Sequence, residues 1–170
     1  MPDEWIRQWG DPALREVALH VRCVDDLLRR QVARMQERMT AAPGAGLAAT
    51  QVGLLRRVFV YQMTVESEVD VAVNPRIMAS SSERAVFSEG CLSFQSVVVA
   101  VERSVAVRVE CQDLDGHSRV LDVEGFEASL LQHEIDHLDG ILTLDRADPF
   151  ERRRATTALL DDACDTMRAA

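Results

Sequence analysis

Two imidazoles four residues apart, His133 and His137, bracket a carboxylate at Glu134 in the run His133-Glu134-Ile135-Asp136-His137. On a helix, at ~100° per residue, the histidines lie ~40° apart around the axis and Glu134 falls ~60° from His137, so all three side chains fit one arc of ~100°. In this H-E-x-x-H arrangement the histidine pair binds a metal ion and the glutamate works on a water held there. Short motifs also arise by chance, and the plain alternative is a helix that happens to carry the pattern. Two features weigh against chance. The chain has only four histidines, and two of them stand at ligand spacing. Phe126, Leu130, Leu131 and Leu138 make the helix apolar on one side, which sets the histidines at the border of a core.

A catalytic centre of this kind needs a third protein ligand and a position left for water. The residues alone leave two sources open. One is a downstream carboxylate, Asp145 or Glu151. The other is Cys91 in Glu89-Gly90-Cys91-Leu92-Ser93, where an irregular segment beside a glycine presents a thiolate inward. A lone cysteine is more often a small buried hydrophobe. A further segment, Gly44 to Gly53, has glycines that permit close backbone approach to a ligand, with Gln51 as an amide donor. Glycines would equally suit a flexible loop.

The elements that must position these residues are legible in outline. A chain of 170 residues with 47% hydrophobic and 28% charged content is expected to form one domain with a substantial core. Asp11 and Pro12 start a short helix near Pro12–Ala18. A longer one covers about Asp25 to Ala42, with Leu28, Val32, Met35 and Met39 on its buried face, and Pro43-Gly44 stops it. Gly44 to Gly53 reads as irregular. Strands are expected over Arg57–Met63, Val69–Val73 (ending at Asn74-Pro75), Val97–Val101, Val105–Val109 and Ser118–Val123, with a turn at Asp113–Gly116. The histidine helix spans about Gly125 to Leu138, ended by Asp139-Gly140. A last helix runs from Pro149 to about Arg168, with Asp148, Pro149 and Glu151 as a capping-box start. Strands bracketed by helices suggest an α+β fold.

Composition narrows the function classes. The net charge of −9 argues against a generally nucleic-acid-binding surface. All 19 basic residues are arginine. Met1 to Asp11 has three acidic residues and no apolar run, so a signal peptide is not expected. No segment approaches the ~20 apolar residues that span a bilayer, and a cytoplasmic location is expected. The scattered Cys23, Cys91, Cys111 and Cys164 suit reduced thiols better than a disulfide framework.

Together, the three segments resemble the peptide deformylase family. That family carries G-x-G-L-A-A-x-Q, then E-G-C-L-S, then H-E-x-D-H. This chain reads Gly44-Ala45-Gly46-Leu47-Ala48-Ala49-Thr50-Gln51, Glu89-Gly90-Cys91-Leu92-Ser93 and His133-Glu134-Ile135-Asp136-His137 in that order. The likeness extends from Gly10-Asp11-Pro12 through Asn74-Pro75 to the C-terminal helix. It implies a single catalytic domain over residues 1–170, with mostly antiparallel β-sheets around a central metal-binding helix. It implies hydrolysis of the N-formyl group from the N-terminal formyl-methionine of nascent polypeptides. Cys91, His133 and His137 would hold one divalent ion, ferrous iron by resemblance, replaceable by nickel, cobalt or zinc. Glu134 would be general base, then general acid. The Gln51 side chain and the Leu92 backbone N–H would stabilise the oxyanion. Glu89 would pair with Arg103 and brace the Cys91 segment. Asp136 would lie away from the metal arc or support a ligand. Gly44, Ala45, Gly46, Glu89, Gly90, Phe94, Val98, Phe126, Ser129 and Leu130 would meet the substrate.

Three positions depart from the common pattern. Ala45 stands where a larger Ile or Val is usual, Gln95 where Pro is common, and Val98 where many members carry Arg or another polar residue. All spare the catalytic positions, and a lost methylene in a pocket wall is worth only ~1–3 kcal/mol of discrimination. They point to altered preference, for another N-formyl or short N-acyl substrate, as the alternative to formyl-methionine chains. Two other readings stand: a thermolysin-type endopeptidase, which needs a downstream carboxylate ligand, and an inactive or repurposed metal protein, in which Glu134 has no task. Arg152-Arg153-Arg154 could touch ribosomal RNA in passing, although a solvated charge run is the simpler reading in an acidic chain. No DNA or membrane partner is expected, and the oligomeric state is left open.

Overall fold

Helix α1 (Asp26–Ala41) begins where the Asp25 side chain accepts a hydrogen bond from Leu28 N at 2.7 Å. Its Leu28, Val32, Met35 and Met39 are all buried, at the spacing that puts them on one face. They pack against Leu47 of β1 (Gly46–Ala48), Val58 and Val60 of β2 (Val58–Tyr61), and Val71 and Val73 of β3 (Asp70–Ser80). The computed structural model describes residues 5–64, 66–94 and 97–169. Strands β6 (Ala106–Gln112) and β7 (Ser118–Glu124) complete a five-stranded antiparallel sheet in the order β1-β2-β3-β6-β7. Strands β4 (Arg84–Glu89) and β5 (Val99–Ser104) form a separate antiparallel ribbon.

Helix α2 (Gly125–Leu138) lies between the sheet and the ribbon. Ala128, Leu131, Ile135 and Leu138 pack on Phe59, Tyr61, Val107 and Val109 of the sheet. The other side meets the ribbon through polar contacts. Every residue from Ala128 to Leu138 is buried, so the helix is enclosed on its polar side as well as its apolar one, while Phe126 near its start stays exposed. A third core cluster joins Phe94, Val99 and Val101 to Leu144 of α3 (Thr143–Arg146) and Ala155 and Leu159 of α4 (Pro149–Ala169).

Several boundaries differ from the sequence-based expectation. The first helix is a single 3-10 turn, Pro12–Arg15, with Asp11 accepting from Ala13 N. Gly44–Gly53 is not wholly irregular: it forms β1 and a 3-10 turn over Ala49–Val52. Strand β3 does not stop at Asn74-Pro75. Asn74 takes φ 52°, and the register shifts between Val73 and Arg76. Its side chain bonds Val21 N at 2.8 Å, Val21 O at 2.9 Å and Gln112 Oε1 at 3.0 Å. These side-chain bonds hold a bulge where the proline has no N–H to give the ladder. Strand β4 was unanticipated because Arg84–Glu89 has no apolar run; pairing with β5 makes it a strand. The capping box at α4 is half realised. Asp148 accepts from Phe150 N and Glu151 N, but the Glu151 carboxylate reaches Ala100 N at 3.0 Å instead. Among the described residues, no helix is long and apolar enough to cross a membrane.

The C-terminal end of α2 carries the N-terminal segment: Ala18 N donates to Leu138 O at 2.8 Å. Next to it Gly140 turns the chain at φ 71°, and a Cβ there would stand 2.5 Å from Arg15 O. Gly140→Ala therefore combines a left-handed backbone with a backbone clash. It is expected to cost about 2 kcal/mol or more, read as a lower midpoint in urea denaturation.

Candidate metal centre

The antiparallel ribbon delivers Cys91 and Glu89 to the polar side of α2. Cys91 follows the end of β4, and its Sγ lies 3.2 Å from His137 Nε2. Donor atoms of Cys91, His133 and His137 all lie within 4.8 Å of one another, and all three residues are buried. One thiol sulfur and two imidazole nitrogens suit a first-row divalent transition metal better than magnesium or calcium. The four-residue step along α2 places the rings edge to face, with centroids 4.8 Å apart. His133 Nδ1 lies 2.9 Å from Glu89 Oε2, which leaves Nε2 to face an ion. Neither downstream carboxylate competes as third ligand. Asp145 pairs with Arg15 and accepts from Leu142 N. Glu151 is taken by Arg154 and Ala100 N.

Glu89 and Arg103 form a buried bidentate pair at 2.8 and 3.0 Å, not an exposed one. Ser129 Oγ donates to Glu89 Oε1 at 2.9 Å. Burial opposes ionisation of Glu89, yet the His133 and Arg103 contacts outweigh it and bring the carboxyl down to about 2. Asp136 is buried and accepts from Arg103 and from Arg146 at 3.0 and 2.6 Å. It thus supports the ligand set from behind. Burial depresses both histidines, but with opposite outcomes. For His133 the hydrogen bonds to Cys91 and Glu89 prevail and hold it well above the ordinary range. For His137 burial and the neighbouring His133 charge hold it well below.

Glu134 lines the same cavity, with its carboxyl against Gly46 of β1. Burial, with repulsion from Glu89, lifts its carboxyl to about 7. Its Oε2 is buried without a hydrogen-bond partner among the described residues. Gly46 faces it so closely that a Cβ there would fall 2.3 Å from Glu134 Oε1. Gln51 is fixed at both ends of its amide: Oε1 accepts from Ala48 N at 2.8 Å, and Nε2 lies 3.1 Å from Ser93 Oγ and 3.5 Å from Cys91 Sγ.

A cavity of about 500 Å³ opens over these groups. Of the expected residues, Gly44, Ala45, Gly46, Gln51, Glu89, Gly90, Cys91, Leu92, Phe126, Ser129, Leu130, His133 and Glu134 line it. Phe94 and Val98 do not, and His137, buried beneath, does not either. Phe94 is 2% exposed in the third core cluster, where the large ring fills space beside Val99 and Leu144. Val98 turns outward, its carbonyl accepting from Arg154. Gln95 lies outside the described residues. Pro43, Phe87 and Ser88 line the cavity without having been anticipated. For Phe87 the missing signal was β4 itself, whose two-residue period sets Phe87 on the same side as Glu89. The arginine run at the start of α4 is partly occupied: Arg152 donates to Leu144 O and Asp145 O, and Arg154 to Glu151 and Val98 O.

A thiol and two imidazoles converging beneath a cavity, with a buried carboxylate beside them, define a metal-dependent hydrolase of the H-E-x-x-H type. Comparison with known proteins makes the class specific. The polypeptide deformylase family profile matches residues 3–153. The peptide deformylase of Rhizobium meliloti is 43% identical over 155 residues, covering 87% of this chain and 89% of its own. That of Thermotoga neapolitana is 41% identical over 158 residues, covering 93% and 95%. The structure superposes on a peptide deformylase from Synechococcus elongatus in complex with actinonin with a TM-score of 0.88, 34% identity and coverage of 96% and 89%. It matches one from Legionella pneumophila with a TM-score of 0.88, 35% identity and 96% coverage of each chain. The chain belongs to the polypeptide deformylase family, metal-dependent hydrolases that remove a formyl group.

The contact between Gly46 and Glu134 can be tested without touching a ligand. Gly46→Ala is expected to keep one bound metal ion per chain while displacing the Glu134 carboxylate. Formyl-peptide turnover should then fall about 10²-fold or more, checked by metal analysis beside the assay.

Proposed function

We propose that this chain hydrolyses the N-formyl group from the N-terminal formyl-methionine of nascent polypeptides. The observation that carries the reading is the convergence of Cys91, His133 and His137 donor atoms within 4.8 Å, with the buried Glu134 carboxyl, its Oε2 without a hydrogen-bond partner, in the cavity that Cys91 and His133 also line. Cys91, His133 and His137 would hold one divalent ion, which when bound polarises the formyl carbonyl and makes water a nucleophile near neutral pH. Ferrous iron is the ion the resemblance implies, and the same donors suit zinc, nickel or cobalt.

The chain's own residues divide the remaining work. Glu134, held ready by burial and walled in by Gly46, accepts the proton of the attacking water and returns it to the departing amine nitrogen. Gln51 presents its amide N–H to the developing oxyanion. Its Oε1 is locked on Ala48 N, so the amide is oriented before substrate arrives. The Leu92 backbone N–H is the second donor. Phe126, Ser129 and Leu130 receive the methionine side chain. Two sheet edges border the cavity, β1 with the preceding Gly44 and Ala45, and β4 at Phe87–Glu89. An extended peptide fits between such edges by main-chain pairing.

The departures from the family pattern weigh less in three dimensions. Among the described residues only Ala45 borders the cavity, since Val98 faces away from it. Formyl-methionine chains are therefore favoured over another N-acyl substrate. The discriminating measurement is turnover of formyl-Met-Ala against acetyl-Met-Ala by the metal-loaded protein. Formyl-Met-Ala is expected to be strongly preferred, and equal or better rates on the acetyl peptide would sink the assignment. Glu134→Gln should retain the ion and lose about 10²- to 10⁴-fold in kcat. Cys91→Ala should lose both ion and activity, whereas an endopeptidase with a carboxylate ligand would keep them. Gln51→Leu should lower kcat about 10²- to 10³-fold with the ion still bound.

A further inference from the structure

Helix α3 is only four residues long, yet it is fastened on several sides. Leu142 N donates to Asp145 Oδ2 at 2.8 Å, and Asp145 pairs with Arg15. Arg152 donates to Leu144 O and Asp145 O, each at 2.7 Å. Arg146 grips Asp136 through Nε and Nη2 at 3.0 and 2.6 Å. The residue this fixing places is Thr143, 2% exposed, with Oγ1 3.4 Å from His133 Nδ1. The same nitrogen faces Glu89 Oε2 at 2.9 Å. With Nε2 turned to an ion, Nδ1 carries the ring proton. Glu89 and Thr143 Oγ1 then stand as two acceptors around one N–H, a three-centre arrangement with the carboxylate as the stronger arm. A second route reaches the same ring from α3: Arg146 holds Asp136, Asp136 holds Arg103, and Arg103 holds Glu89.

We propose that α3 is a positioning element for the metal centre, in which Thr143 directs the His133 ring at Nδ1 and Arg146 anchors the Asp136–Arg103–Glu89 chain behind it. The inference rests on the reading that Cys91, His133 and His137 hold a divalent ion. It assigns the segment after the metal helix a part in how long that ion stays bound. Valine has the shape of threonine without its oxygen, so Thr143→Val removes the acceptor and keeps the packing, while Thr143→Ser keeps the oxygen.

The test uses the full chain loaded with cobalt(II), whose visible bands report ligand geometry, and follows cobalt release to excess chelator. Thr143→Val is expected to release cobalt about fivefold faster with shifted bands. That lies below the usual effect of losing an outer-shell partner because the contact is long. Thr143→Ser should return the rate to within about twofold of wild type. Arg146→Met should release about tenfold faster, and the double variant should fall short of the product, since both act on one ring. If valine is not accommodated, Thr143→Ala gives the same readout. Wild-type release and spectrum in a folded Thr143→Val or Thr143→Ala would overturn the proposal. A wild-type chain that takes up no cobalt would instead overturn the metal reading itself.

Discussion

A carboxylate buried between a guanidinium and an imidazole ties the two halves of this molecule together. Glu89 ends β4, Arg103 sits on β5, and Ser129 and His133 sit on α2; the last three meet at the two oxygens of Glu89. Burying such an ion is costly, and a well-packed apolar cluster would often serve stability as well. What the apolar cluster lacks is direction. The Glu89 oxygens fix the Nδ1 side of the His133 ring, and Arg103 fixes Glu89 against swinging. Each partner has further contacts, Arg103 with Asp136 and Glu89 with His133 and Ser129, so losing either member unbalances the whole buried set. Ribbon, helix and ligand orientation are therefore held in common.

The opposite side of α2 is governed by close approach rather than charge. The 3-10 turn after β1 presses on the helix, where Thr50 Oγ1 donates to His137 O at 3.0 Å. Gly46 comes within reach of the Glu134 carboxylate where any Cβ would collide with it. Glu134 is thus confined by backbone and not by a hydrogen-bonding partner at Oε2. Confinement by a glycine holds the carboxyl in place while leaving Oε2 unengaged. The spacing of the first motif, with Gly46 five residues before Gln51, also lets one turn deliver the wall for Glu134 and the amide beside Cys91.

Much of this was legible in the sequence because the decisive signals are local. The period of α1, its stop at Pro43-Gly44, the bounds of α2 and the ligand spacing of His133 and His137 depend on neighbours a few residues away. What stayed hidden depends on partners far along the chain. Strand β4 carries no apolar period and exists through pairing with β5. Strand β3 passes Asn74-Pro75 because Asn74 bonds Val21 and Gln112, 53 and 38 residues distant. Phe94 reads as a pocket residue beside the Cys91 motif, but the core under α3 and α4 claims it. Thr143 has no sequence signature at all, since its relation to His133 arises only when α3 folds back on α2.

Charge at the centre is answered unevenly. Glu89 is answered by Arg103, and Asp136 is shared between Arg103 and Arg146. Among the described residues no arginine hydrogen-bonds to Glu134 or Cys91. Glu134 is left to burial, which with repulsion from Glu89 lifts its carboxyl to about 7, while contacts with Cys91 and Glu89 hold His133 well above its ordinary range. A buried thiol and a buried carboxyl with no arginine bonded to either favour a cation as their partner, since a buried charge is stable only when paired. The groups that orient His133 are thus paired within the protein, and the charge at Cys91 and Glu134 is left for the metal to answer.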